Sequence, residues 1–170
     1  MQSPISNRQS PMIAKPPSAS LTETVQAVLP NDANPLGFIL GGTVMHLVDI
    51  TGAIAAHRHT RSLLVTAAVD GLVFLCPIKV GDLIILRAKV TAAFKTSLEV
   101  EVEVYSEGTL TGERRLTSRA FLTFVAIDRA GGRVQVPPLV LETDAERQTA
   151  REAEARRSAR LAAKKKLGVS

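Results

Sequence analysis

An α+β layer, one long helix covered by an antiparallel sheet, is what this chain of 170 residues predicts. Three observations point to it. From Thr43 to Ala56 the pattern TVMHLVDITGAIAA is apolar on nearly every helical face, as in a helix enclosed by a sheet. Ser97 to Ser106 alternates, with Leu98, Val100, Val102 and Val104 on one face and Glu99, Glu101 and Glu103 on the other. The order is one strand, one helix, then four strand candidates with short connections, which suits a meander.

Residues 1 to 19 hold four prolines and little to bury, so a disordered arm is expected there. A first strand runs from Thr22 to Leu29 and ends at Pro30, followed by the polar bend Asn31-Asp32-Ala33-Asn34. The helix follows and ends around His57 to Thr60, where Arg58 and His59 suit the negative end of its dipole. Leu63 to Leu75 reads as a long strand broken by a bulge or bend at Asp70-Gly71. Leu83 to Thr91, Ser97 to Ser106 and Leu116 to Ile127 complete the set. A hairpin centred on Lys95 sets Lys89 opposite Glu101 and Arg87 opposite Glu103, so those acids are read as cross-strand partners. Val136-Pro137-Pro138 closes a domain spanning residues 20–141. Thr143-Asp144-Ala145-Glu146 then has capping-box spacing and opens a charged, Ala-rich helix to about Lys166, read as a solvated tail over residues 142–170.

The net charge of +5 invites a polyanionic partner such as nucleic acid or a phosphorylated cofactor. Residues 142 to 170, however, hold eight Lys or Arg against five Asp or Glu, so most of the basicity belongs to the tail. With 4% aromatics and no Trp, a stacking platform for single strands is poorly supplied, and nucleic acid is not the expected partner. Cys76, the only cysteine, can form no intrachain disulfide and reads as a small buried apolar residue. No secretory signal is readable, and a cytoplasmic address is expected by default. Residues 38 to 56 come nearest to a membrane span, but His46 and Asp49 at its centre and Gly41-Gly42 within it favour a buried helix. No metal-ligand spacing, such as His-Glu-x-x-His or a Cys pair, and no Walker sequence is present.

The lone acid Asp49 needs a reason, because a carboxylate on so apolar a helix is costly unless paired or working. One reading is a satisfied core residue bonding Thr43 or Thr51. The other is functional: Asp49 stands seven residues after Gly42, about 10 Å along the axis and on the same face. Helix-start N–H groups attract negative charge, including the charge that develops on a carbonyl oxygen under attack. Backbone donors and a carboxylate could thus address one ligand.

Several segments together resemble the hotdog-fold acyl-CoA thioesterases, within them the cytosolic acyl-CoA hydrolase group. They are Asp32-Ala33-Asn34 with Gly37, Gly41-Gly42-Thr43, Asp49, Gly52-Ala53-Ile54 and Arg58-His59. Further on come Val65-Thr66-Ala67, Pro77 with Val80-Gly81-Asp82, Lys95-Thr96-Ser97, Ser106-Glu107, Leu110-Thr111-Gly112 and Val136 to Val140 running into Glu142-Thr143. The resemblance covers roughly Leu21 to Gln148. It implies a long central helix wrapped by an antiparallel sheet and assembly of dimers into a hexamer; dimerisation into one continuous sheet is expected from the residues as well, because a helix of this apolarity needs more cover than one small sheet provides. It also implies hydrolysis of an acyl-CoA, with Asp49 as general base or nucleophile, Asn34 as the polar partner orienting water or thioester, and the Gly42 N–H as oxyanion donor. Asn34 and Asp49 of one site would come from different subunits. Gly41, Thr66, Thr96 and Ser97 are implied to bind substrate, and Lys95 and Arg58 are the cations expected for the coenzyme A phosphates. No cofactor is expected, since coenzyme A is part of the substrate.

Three alternatives stay open, one of them a nucleic-acid-associated protein that binds through the basic tail with Lys164-Lys165-Lys166. A non-catalytic acyl-CoA binding module on the same fold has no need of both Asn34 and Asp49. A dehydratase of the same fold usually wants a His beside the acid, and only His46, read here as a packing or surface residue, is near.

Overall fold

The computed structural model describes residues 12–168. Five strands, β1 (Thr22–Ala27), β2 (Leu63–Phe74), β3 (Leu83–Ala93), β4 (Ser97–Glu107) and β5 (Arg114–Ile127), form one antiparallel sheet in the order β1-β3-β4-β5-β2. Helix α1 (Gly41–Thr60) lies across the inner face, and α2 (Asp144–Lys166) follows the sheet in sequence. Alternation decides which side chains turn inward: Leu98, Val100, Val102 and Val104 of β4 meet Ala120, Leu122, Phe124 and Ala126 of β5 beneath Val44, Val48, Ala55 and Ala56 of α1. At Gly52 the helix comes close enough to the sheet that a Cβ would sit 3.4 Å from the Phe124 ring and from Val102.

The expected register holds in detail, with Lys89 opposite Glu101 and Arg87 opposite Glu103. The break in β2 also falls where expected: pairing with β5 shifts between Asp70 and Val73, and Gly71 has φ of 66°. Within one protomer helix α1 is only partly covered. A five-stranded sheet covers one side of it, so Met45, His46 and Ile50 on the other side are exposed and the helix is not buried all round. Strand β2 is an outer strand and leaves Leu63, Val65, Val69 and Val73 exposed as well.

The charged tail is not the solvated helix its composition predicts. Thr143 caps α2 as expected, its Oγ1 accepting from the Glu146 N–H at 3.1 Å while the Glu146 carboxylate accepts from Thr143 N–H. Beyond the cap, α2 docks on the outer face of the sheet. Ala153 is fully buried, and Arg156 donates twice to the buried Glu99, at 2.8 and 3.1 Å, while its guanidinium stacks 3.7 Å from the Phe121 ring centroid. Arg157 stacks on Phe94, and Arg160 pairs with Asp70 on β2. Glu99 is therefore an anchor for the helix rather than a solvent-facing acid.

Of the arm expected over residues 1–19, residues 1–11 lie outside the described residues. The next stretch is pinned: Lys15 bridges to Leu139, its Nζ donates to the Arg58 and His59 carbonyls, and Pro17–Ser20 forms a short 3-10 turn. No helix among the described residues is long and apolar enough to cross a membrane.

Candidate active site

The start of α1 is open. Its N-cap, Leu40, has no side chain able to accept from the first turn, and the 3.1 Å bond from Val44 N–H to the Leu40 carbonyl is the first of the helical series. The N–H groups of Gly41, Gly42 and Thr43 therefore have no acceptor within the helix. Nothing lies within 4 Å of where a Gly42 Cβ would be, whereas at Gly41 the Phe74 ring sits 3.4 Å away. Together these features leave polarised donors on an accessible surface.

The loop before the helix is held by its own asparagine. Asn34 Oδ1 accepts from the N–H groups of Leu36 (3.0 Å) and Phe38 (3.2 Å), and Asn34 N–H donates to the Phe38 carbonyl at 2.8 Å. Those two donors fix the amide orientation and leave its NH2 available. Gly37, at φ of 80°, makes the turn that a Cβ would strain. Asn34 lines a cleft of about 400 Å³ together with Gly41, Phe74, Cys76 and Ser118. Cys76 is thus half-buried at a cleft wall rather than packed in the core, its Sγ 3.7 Å from the Leu116 carbonyl oxygen.

Asp49 is half-buried two turns into α1, and neither Thr43 nor Thr51 holds it. Thr51 instead bonds Thr24 on β1 at 2.9 Å. The partner of Asp49 is Thr66 on β2, whose hydroxyl donates to Oδ1 at 2.7 Å. The resemblance implies Thr66 as a substrate-binding residue; the structure places its hydroxyl on the carboxylate. Seventeen residues and a chain reversal separate the two, so no local spacing signals the pair. His46 is exposed one turn away and, among the described residues, its side chain makes no hydrogen bond.

Within one protomer the cleft lined by Asn34 does not include Asp49. The two cations named for phosphate differ in how they are used. The Arg58 guanidinium donates to the Leu21 carbonyl and, at 3.0 Å, to Thr22 Oγ1, tying α1 to the start of β1. Lys95 is exposed at the tip of the β3–β4 hairpin, where its carbonyl accepts from Val136 N–H and the Thr96 carbonyl from Ala126 N–H. Ser97 closes that tip by accepting from Phe94 N–H at 2.8 Å. No group of three or more His, Cys, Asp or Glu side chains gathers among the described residues in a way that could hold a metal ion.

Residues 36–113 match the thioesterase superfamily. The chain is 43% identical over 119 residues to an uncharacterized acyl-CoA thioester hydrolase of Bacillus subtilis, covering 70% of this chain and 69% of that protein. It is 34% identical over 125 residues to the human cytosolic acyl coenzyme A thioester hydrolase, but there the match spans 69% of this chain and only 33% of the relative. An apo-hexameric acyl-CoA thioesterase superposes with a TM-score of 0.82 at 40% identity over 87% of this chain and 96% of the other. An acyl-CoA hydrolase of Staphylococcus aureus, solved with butyryl coenzyme A, coenzyme A and coenzyme A disulfide, gives 0.80 at 31% identity over 92% and 97%. Variants of that Staphylococcus aureus protein carry alanine for an asparagine, an aspartate and a threonine that follow one another at intervals of fifteen and seventeen residues.

Proposed function

The chain belongs to the thioesterase superfamily, and on that premise we propose that it hydrolyses an acyl-CoA to the free acid and coenzyme A. The observation that carries this reading is the Asp49–Thr66 pair. Asn34, Asp49 and Thr66 stand at the same intervals of fifteen and seventeen residues as the three positions exchanged in the Staphylococcus aureus hydrolase. Thr66 takes one lone pair of the carboxylate and orients it, leaving the second oxygen to take the proton from an attacking water. The water oxygen bonds to the thioester carbon, the carbonyl oxygen gathers negative charge against the Gly42 N–H, and the C–S bond then breaks, the thiolate leaving to be protonated. A thioester is less resonance-stabilised than an ester and its thiolate leaves readily, so a base, a positioned water and an oxyanion donor suffice. No cofactor enters, since coenzyme A is part of the substrate. Gly41, Lys95, Thr96 and Ser97 border the substrate in this reading.

The site is complete only in a dimer. Strand β2 offers an unpaired edge with exposed Leu63, Val65, Val69 and Val73, and an open apolar edge of that length favours pairing with a second copy. Antiparallel pairing there would lay the Thr66 end of one β2 beside the Phe74 end of the other, bringing Asp49 of one protomer to the Asn34 cleft of the next. The hexameric thioesterase of similar fold supports a further assembly of three such dimers. The cytosolic name of the human relative supports a cytoplasmic address.

The test is free-thiol release from acyl-CoA thioesters of graded length, with Asp49→Asn as the control. Loss of a general base predicts a fall of about 10²–10⁴-fold in kcat with the protein still folded. A burst of coenzyme A ahead of acid release would make Asp49 the nucleophile instead. Tight binding of acyl-CoA by the wild-type protein with no turnover would replace the hydrolase by a binding module.

A further inference from the structure

Helix α2 is longer than the sheet it crosses. Ala145, Glu146 and Thr149 of its first turns wall a cavity together with Lys89 and Thr91 of β3. Further along, Arg156 reaches Glu99 on β4 and Phe121 on β5, and Arg160 reaches Asp70 on β2. Strand β2 is at the sheet edge, so the sheet of this protomer ends where Arg160 is held. The helix runs on to Lys166, about 9 Å further. Every residue from Leu161 to Gly168 is exposed. The face that α2 turns to the sheet also continues: Ala153, Arg156, Arg157 and Arg160 follow one another at helical spacing, and Lys164 and Leu167 extend that stripe past the edge strand. Leu167 is 79% exposed there. A helix face suited to a sheet that overhangs its own sheet is covered when a second sheet abuts the edge.

Pairing of two β2 edges supplies that second sheet. With Thr66 of one strand beside Phe74 of the other, Asp70 is the midpoint, and Asp70 of the partner subunit stands opposite it at about 5 Å between Cα atoms. Two carboxylates placed in this way repel. Among the described residues each Asp70 has one cation in its own chain, Arg160. Neighbouring strands are about 4.8 Å apart, and Lys164 lies one turn, about 6 Å, beyond Arg160 on the same helix face. The step from Arg160 to Lys164 therefore matches the step across the seam from one Asp70 to the other. Among the described residues Lys164 forms no ion pair within its own chain.

We propose that the last turns of α2 form a strap across the dimer seam, in which Lys164 of each protomer pairs with Asp70 of the partner subunit while Arg160 holds the Asp70 of its own chain. This rests on the β2 pairing put forward above and not on the chemistry at Asp49. The strap joins the two protomers on the sheet face opposite α1. Because Asn34 and Asp49 of one site come from different protomers, it also holds the site together. The basic tail then has a second copy of this chain to bind rather than a polyanion.

The test is a double-mutant cycle on dimer stability in the full-length protein, comparing the parent, Lys164→Gln, Asp70→Asn and the double variant at low salt. Sedimentation reads the dissociation constant, and exchange between labelled and unlabelled subunits reads the same contrast as a rate where the dimer is too tight to dissociate. Lys164→Gln should loosen the dimer about tenfold, because two symmetry-related, part-exposed pairs are lost together. In the Asp70→Asn background the same substitution should change it by less than about twofold. Zero-length carbodiimide coupling in a mixture of isotope-labelled and unlabelled protein should join Lys164 of one chain to Asp70 of the other. An equal effect of Lys164→Gln in both backgrounds overturns the proposal, as does no effect in either, coupling confined to one chain, or a parent that stays monomeric. Weaker binding to heparin by Lys164→Gln with an unchanged dimer also overturns it, leaving the tail to a polyanion. A dimer loosened as expected in a protein that releases no thiol from acyl-CoA would retain the strap and sink the hydrolase reading alone; thiol release by a dimer indifferent to Lys164 would do the reverse.

Discussion

Replacing Arg156 by alanine removes the charge that α2 places over the sheet. Glu99 is 1% exposed and is held by the Arg156 fork at 2.8 and 3.1 Å and by the Thr91 hydroxyl at 2.8 Å. Taking away one partner of a buried pair costs about 3–5 kcal/mol, because the remaining charge stays desolvated. The stack of Arg156 on Phe121 is lost as well. Two features pull the cost toward the low end. The Arg156 side chain is 23% exposed, so water can reach part of the space it leaves. Release of α2 would also resolvate Glu99, which caps the loss at the free energy of docking that helix. About 3 kcal/mol is expected, or a fall in Tm of about 6–12 °C for a chain of this size. Urea unfolding near neutral pH reads the first figure, and Glu99→Leu with Arg156→Leu should recover most of it, since an apolar pair leaves no buried charge. If Arg156→Ala stays within about 0.5 kcal/mol of the parent, the pair is behaving as a surface ion pair and α2 is not anchored as argued.

Thr66→Val keeps the β-branched shape and deletes the hydroxyl that orients Asp49, so kcat for a short acyl-CoA should drop about tenfold, the worth of one hydrogen bond, with KM little changed; equal kcat would show that the hydroxyl orients nothing. His59 is fully buried, with Nε2 2.7 Å from the Pro137 carbonyl and Nδ1 without a partner among the described residues. Burial holds its pKa below the ordinary 6.5, against the pull of the Pro137 bond and with help from the Lys15 charge. The folded state therefore takes up its proton later than the unfolded chain, and stability should fall as pH drops from about 6.5 toward the lowered value, by at most about 1.4 kcal/mol per unit. Urea titrations between neutral and mildly acidic pH should show a shallower slope for His59→Gln than for the parent, and parallel slopes would sink the assignment.

Much of the scaffold was legible because its signals are local. Gly41-Gly42 ahead of an apolar run started α1, alternation marked β4, the turn at Lys95 set the β3–β4 register, and the Thr143/Glu146 spacing marked the start of α2. The docking of α2 was not legible, because a charge run with few apolar residues has the composition of a solvated helix. What seats it is long range: Arg156 meets Glu99 and Arg160 meets Asp70. How much of α1 one protomer covers was not legible for a related reason, since it depends on sheet width and not on the helix sequence.

Asp49 and the open start of α1 were visible to the sequence as features whose placement demanded a reason, because a lone acid in an apolar helix and a glycine pair at its start are informative by themselves, whereas Asn34 was singled out only by the resemblance. Their partners were decided only by tertiary structure. The sheet order put β2 at an edge and Thr66 against Asp49, and the start of β1 took the Arg58 guanidinium. Sequence periodicity tells which face of an element is apolar, whereas contacts between elements follow from how their faces pack, and that packing fixes which charged groups are held and which stay free to meet a ligand.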